Sequence, residues 1–428
     1  MVTVIGAGLA RCEAAWQAAN RGVHVTVYDM KPDKKTPAHH GDNLAELVCS
    51  NSLRSDSLSN AAGLLKEEMR RMNSLIISCA DQTRIPAGSA LAVDRDGFAA
   101  LVTEKIKQHP NIKLVLSTQI TEIPDGIVII ASGPLTSNAL LQQISRLTNN
   151  EHLFFFDAAA PIVTYESVDM QIAYRASRYN KGGDDYINCP MDTTQYELFL
   201  HELVNAEQAA YKEFDNNVFE GCMPIEVMAK RGQQTLLYGP LKPVGLCRPD
   251  GQMPHAVVQL RQDNATATLY NMVGFQTRIT FAEQKRVFSL IPGLENAEFV
   301  RYGVMHKNTF INSPCLLLPT YQLKTSRSIF FAGQITGVEG YIESASSGLV
   351  AGINAANKVL GVEPFIFDTN TAIGALAAYV SNDKVKNFQP MNINFGLLPP
   401  LEVRIKAKQQ RNTEISERAL RFLPTRGV

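Results

Sequence analysis

A chain of 428 residues with 41 Lys+Arg against 41 Asp+Glu has no formal net charge, and its 45% hydrophobic and 19% charged content is that of a globular protein of about two or three domains. No apolar run approaches the roughly 18 residues of a membrane span. Exact charge balance argues against gripping nucleic acid through a global field, so a polyanionic partner would have to meet a local basic patch.

At the N-terminus, the β-branched run Val2–Ile5 predicts a strand, Gly6-Ala7-Gly8-Leu9-Ala10 a tight turn, and Glu13–Asn20 a helix. A second strand, Val23–Tyr28, ends in Asp29, which lies 23 residues beyond Gly6. This is the βαβ pattern in which glycines let the backbone approach a pyrophosphate at a helix N-terminus while the acid takes the ribose hydroxyls. With no Arg next to it in sequence, Asp29 points to a cofactor with a free 2′-hydroxyl, FAD or NAD. Arg11 stands where the fingerprint has its third glycine; its side chain is expected to swing out to solvent or to crowd the turn. A plain βαβ unit without nucleotide is the alternative.

Cys49 follows, within Glu46-Leu47-Val48-Cys49-Ser50-Asn51-Ser52, where Ser and Asn signal turns and caps. The block reads either as a polar site holding a thiol or as a capped loop with an incidental cysteine. His39-His40 has no metal-ligand spacing, and no metal is expected. Ile127–Ala131 then Ser132-Gly133-Pro134 is a buried-strand pattern ending in a glycine turn, as at the carboxyl edge of a parallel sheet.

From about residue 151 the β-α alternation gives way to extended segments such as Ile162–Glu166 and Ala265–Met272, a polar helix over Thr194–Phe214, and Gly/Pro-rich turns, among them 180–185. The expected fold is α/β, a Rossmann-like FAD-binding domain of the two-dinucleotide type (1–150 and 303–428) interrupted by a mixed α+β insertion (151–302). Cys222 lies before Pro224, which suits a first helical position, so that a helix N-terminus would favour its thiolate; a buried structural cysteine is the alternative. The seven cysteines form no CxxC pair, and reduced thiols in a cytoplasmic protein fit. No signal-peptide pattern is seen.

The strand Ser328–Phe331 runs into Gly333, Gly337 and Gly340. The following helix, Ser344–Asn357, has Ala345, Gly348, Ala351, Gly352 and Ala355 at three- and four-residue spacing, which lets it lie close to a neighbouring backbone or a flat ring. Residues 402–428 carry seven Lys and Arg (404, 406, 408, 411, 418, 421 and 426) against three Glu, a surplus of four. This is either a solvated helix face or the local patch an RNA would need.

Five blocks, Asp42–Ser52, Pro86–Arg95, Phe219–Glu226, Gly303–Thr309 and Phe331–Tyr341, resemble the TrmFO family, and the likeness extends along nearly the whole chain. TrmFO proteins are bacterial folate- and FAD-dependent tRNA (uracil-5-)-methyltransferases, related to the GidA flavoproteins. The resemblance implies transfer of a one-carbon unit from 5,10-methylenetetrahydrofolate to a tRNA T-loop uridine, with FAD reduced by NAD(P)H. It makes Cys222 the nucleophile and Cys49 the second functional thiol. Gly6, Ala7, Gly8, Leu9, Ala10, Arg11, Asp29, Gly333, Gln334, Gly337 and Val338 would hold FAD, and His306, Asn308, Glu339 and Glu343 would contact substrate. Close relatives that methylate 23S rRNA share the motifs, so rRNA stands as the alternative target. A GidA-like flavin oxidoreductase without methyl transfer is a further alternative, and so is a flavin-poor RNA-binding protein that has lost catalysis.

Overall fold

The computed structural model describes residues 1–6, 8–149, 153–180, 183–209, 223–385 and 388–424, with 153–157, 180, 306 and 307 described by backbone alone. Its centre is a five-stranded sheet in the order 329–331, 127–130, 2–5, 25–28, 112–115, with every neighbouring pair parallel. Ile5 lies between Tyr28 and Ile130 in register, so Gly6, Asp29, Ala131 and Gly333 all follow strands that end along one edge. Val2, Val4, Val128, Ile129 and Ile130 are wholly buried, as expected of strands covered on both faces. This is the Rossmann-like α/β architecture expected of an FAD-binding domain.

Two helices seal one face of this sheet by backbone contact. Leu9–Ala19 starts four residues before the expected Glu13, directly at the glycine turn, and Tyr341–Leu360 starts three before the expected Ser344. A Cβ on Gly348 would lie 2.1 Å from the Ala10 carbonyl oxygen, and one on Gly352 would lie 2.4 Å from that of Ala14. The small-residue spacing therefore serves close packing against a neighbouring helix backbone.

A second layer is a six-stranded sheet, 174–175, 186–191, 256–262, 269–272, 162–164, 299–301, in which every neighbouring pair is antiparallel. It has its own core, in which Phe275 meets Phe288 edge-on at 5.2 Å between ring centres and Phe199 at 6.2 Å. The strands Leu153–Ala158 and Met305–Phe310 pair antiparallel as a separate two-stranded sheet.

Several expected bounds shift for local reasons. The helix expected over Thr194–Phe214 spans Thr193–Asn205, opened by an Asp192–Gln195 capping box. Beyond it the chain pairs with 278–280, Ala209 N–H donating to Arg278 and Thr280 N–H to Glu207, which draws it out of the helix; 210–222 lie outside the described residues. The expected strand Ala265–Met272 is confined to Leu269–Met272, because Asn264 Oδ1 accepts from the amides of Thr268 and Leu269 and holds a turn. Pro224 caps rather than begins the helix Ile225–Lys230. The C-terminal helix Lys408–Arg421 packs through Asn412, Ile415, Ser416 and Ala419 and leaves Lys408, Arg411 and Arg421 exposed.

Candidate functional site

The carboxyl edge of the parallel sheet opens into a cleft of about 1060 Å³, mouth included, lined by Gly6, Gly8, Leu9, Ala10, Asp29, the 131–137 turn, Gly333 and Gln334. Gly6 has φ +125°, and a Cβ there would fall 2.2 Å from the Ala131 carbonyl oxygen, so only glycine lets the two turns pass. Gly8 caps the helix Leu9–Ala19 without a side chain, and no acid occupies the first turn. A Cβ added at Gly8 meets nothing within 4 Å. An open space thus faces a helix N-terminus whose amides and dipole favour an anion. These residues fit the pyrophosphate of a dinucleotide such as FAD; Ala7 lies outside the described residues.

The ribose end departs from that pattern. Arg11 neither reaches solvent nor crowds the turn. It is fully buried, with Nη1 3.2 Å from Asp29 Oδ2 and donating to the Tyr28 carbonyl at 3.3 Å. An arginine remote in sequence therefore neighbours Asp29 after all. The contact is one of charge, since Asp29 Oδ2 accepts no aligned hydrogen bond, while Oδ1 accepts from the Lys31 amide at 3.0 Å. His39 also lines the cleft, with Nδ1 2.5 Å from Thr36 Oγ1. Burial pushes its pKa down to about 4, against the pull of Glu46, so the ring is neutral at ordinary pH.

Cys49 is half-buried on a loop beside this cleft, and each residue from Leu47 to Asn51 is held from outside the loop. Arg95 Nη1 donates to the Leu47 carbonyl and Arg301 Nη1 to that of Val48 at 3.1 Å. The amides of Cys49 and Ser50 donate to Tyr341 Oη at 2.8 and 3.2 Å, and burial raises the pKa of that phenol, keeping it protonated. Arg261 reaches Ser50 Oγ at 2.7 Å and Asn51 Oδ1 at 3.0 Å. Tyr341 lines the cleft, so one side chain joins the dinucleotide site to the thiol loop. Cys49 Sγ lies 3.8 Å from the Ala158 carbonyl, on the strand whose partner carries His306 and Asn308.

The remaining expected site residues are distributed differently. Gln334 donates to both oxygens of buried Glu339 at 2.9 and 2.8 Å. Glu343 is wholly buried and accepts from Arg54 and from the Ile393 amide. Gly337 packs on the Phe388 ring and Val338 is fully buried; neither lines the cleft. Asn308 is buried, the His306 side chain is not described, and Cys222 lies outside the described residues. Among the described residues no group of three or more His, Cys, Asp or Glu is placed to hold a metal, and no helix is long and apolar enough to cross a membrane. Sequence reasoning missed Tyr341, His39 and the arginines around Cys49; Tyr341 and Arg95 carried a signal, as end residues of two of the motif blocks.

A family model described as glucose inhibited division protein A matches residues 1–363. The chain is 62% identical over 425 residues to "Methylenetetrahydrofolate--tRNA-(uracil-5-)-methyltransferase TrmFO" of Acetivibrio thermocellus, covering 99% of this chain and 97% of that protein. It is 59% identical over 426 residues to the protein of the same name from Bacillus subtilis, covering 99% and 98%. Among solved structures, Aquifex aeolicus GidA superposes with a TM-score of 0.72 at 17% identity, over 98% of this chain and 72% of that one, a likeness of fold. The chain belongs to the TrmFO family, within the wider glucose inhibited division protein A group.

Proposed function

We propose that this protein transfers a one-carbon unit from 5,10-methylenetetrahydrofolate to C5 of a tRNA uridine, in the T-loop, and that it works in the cytoplasm. The observation that carries the reading is the Cys49 loop, pinned by Tyr341 at the mouth of a dinucleotide cleft, in a chain about 60% identical along its length to TrmFO proteins. FAD, once reduced by NAD(P)H, would supply the hydride equivalent that turns a methylene into a methyl group.

Uracil C5 is a poor nucleophile until a thiolate adds at C6 and makes the ring an enolate. Cys222 is assigned that addition. Cys49 is assigned the removal or relay of the C5 proton that precedes elimination. His306, Asn308, Glu339 and Glu343 are assigned to substrate contact, and the exposed Lys408, Arg411 and Arg421 to the RNA backbone, as the local patch that a neutral chain requires. Residues 1–150 and 303–428 would form the cofactor domain and 151–302 an insertion, a division supported by the two sheets.

The test is incubation of the purified protein with labelled methylenetetrahydrofolate, NADPH and either a tRNA transcript or a 23S rRNA fragment. Label at the tRNA T-loop, lost in both Cys222→Ala and Cys49→Ala, is the expected result. Label on the rRNA fragment alone would transfer the chemistry to that target. NADPH oxidation without label on either RNA would leave only a flavin oxidoreductase and overturn the reading.

A further inference from the structure

We infer that Arg11 is a built-in brake on dinucleotide binding: its guanidinium engages Asp29, the carboxylate at the end of the second strand that would take the ribose hydroxyls, and FAD binds this chain more weakly for it. The inference rests on the FAD reading given above.

Asp29 has two oxygens and both are engaged. Oδ1 accepts from the Lys31 amide at 3.0 Å, and Oδ2 faces Arg11 Nη1 at 3.2 Å. A ribose diol bound at the end of this strand donates to the carboxylate. It must therefore share Oδ2 with a cation or displace that cation. Sharing weakens the bond, because the guanidinium draws the carboxylate charge that strengthens a charge-assisted hydrogen bond. Displacement is worse, since Arg11 is fully buried. An arginine pushed off Asp29 becomes an unpaired buried charge, among the costliest states in a protein interior.

The pair is also poorly made, which marks Arg11 as a misfit in this position. Nε and Nη2 reach no hydrogen-bond partner. The adjacent Cys12 thiol, its pKa raised by burial, offers them a weak acceptor at best. Arg11 sits on the first turn of the helix, where the fingerprint places glycine for close packing. Replacing it with glycine removes the misfit and frees Oδ2 together.

The test uses the full chain stripped of flavin and titrated separately with FAD and with FMN, which lacks the adenosine ribose, following quenching of flavin fluorescence. Arg11→Gly is expected to lower the Kd for FAD roughly tenfold, the size of one charged hydrogen bond regained, and to change that for FMN by less than about twofold. Asp29→Asn is expected to change the FAD Kd by less than about threefold in the parent and to cancel the tenfold gain in the Arg11→Gly background. Equal or weaker FAD binding by a folded Arg11→Gly protein overturns the brake, as does equal tightening of FAD and FMN, which would place the effect in packing of the turn. Should Arg11→Gly not fold, Arg11→Ala takes its place in the same titrations, and FAD binding equal to or weaker than the parent's refutes the inference. Absence of FAD binding in parent and variants alike would sink the FAD reading and the brake together, whereas equal binding sinks the brake alone.

Discussion

Arg95 and Asp263 meet through two parallel hydrogen bonds, Nη2 to Oδ1 at 2.8 Å and Nε to Oδ2 at 3.0 Å, both side chains almost wholly buried. The residues are 168 positions apart, one on the helix Arg95–Gln108 beside the parallel sheet and the other just past the strand Ala256–Gln262 of the antiparallel sheet. Because Arg95 also holds the Leu47 carbonyl, one guanidinium ties the junction between the two layers to the start of the Cys49 loop.

Breaking that pair by Asp263→Ala strands a buried guanidinium. The expected loss of stability is about 3–5 kcal/mol, measured by urea unfolding. The double change Arg95→Met with Asp263→Leu removes both charges and is expected to recover a large part of it, while methyl transfer stays impaired because the Leu47 carbonyl has lost its donor. Recovery of activity along with stability would show that Arg95 does not position the loop.

Tyr341 is the second support. Its hydroxyl accepts from the amides of Cys49 and Ser50, and Phe removes that oxygen while keeping the ring at the cleft wall. Tyr341→Phe is expected to lower kcat for methyl transfer roughly 10- to 100-fold, as the thiol proposed to act on the C5 proton loses its placement, with bound flavin per chain unchanged. Flavin loss in proportion to activity would instead make Tyr341 a cofactor contact.

The parts of this site that could be read from the sequence are those where chemistry is local. The turn at Gly6 and Gly8, the acid at Asp29 and the spacing of Gly348 and Gly352 announce themselves because a backbone approach or a helical face is decided within a few residues. Cys49 was visible as a thiol in a polar block, but not the arginines at 95, 261 and 301, which reach it from separate elements. Arg11 shows the limit differently. Its position in the fingerprint was plain, yet only the fold reveals that its side chain turns inward to the end of the neighbouring strand, because that depends on how the helix lies across the sheet.

The glycine contact between the helices Leu9–Ala19 and Tyr341–Leu360 sets the back wall of the dinucleotide turn. Gly348→Ala would put a methyl group 2.1 Å from the Ala10 carbonyl oxygen, a backbone atom that moves only if the turn moves. Although Ala is the better helix former by about 1 kcal/mol, the overlap dominates, and a net destabilisation of about 1–3 kcal/mol is expected. Thermal unfolding with and without added FAD checks this. A smaller FAD-induced rise in Tm than in the parent would show that the shift reaches the turn, and a more stable variant would show that the helices separate at little cost.

Glu68 gives a pH-dependent prediction outside the Cys49 loop. Its carboxyl group is wholly buried and accepts from the amides of Ala372 and Ile373 at 2.7 and 2.9 Å, at the start of the helix Ala372–Ser381. Those donors favour the anion, but desolvation outweighs them and pushes the pKa up to about 8 from an ordinary 4.5. Between these values the folded protein holds a proton that the unfolded chain releases, so the contribution of Glu68 is fully present below about pH 4.5 and is lost as pH rises through 8. Glu68→Gln cannot titrate, although its amide group faces one of the two N–H donors and costs some stability at low pH. The parent's advantage over Glu68→Gln, followed by urea unfolding between pH 5 and 8, is therefore expected to shrink by up to about 1.4 kcal/mol per pH unit. A difference that stays constant over that range would mean that the two amides hold Glu68 as an anion throughout.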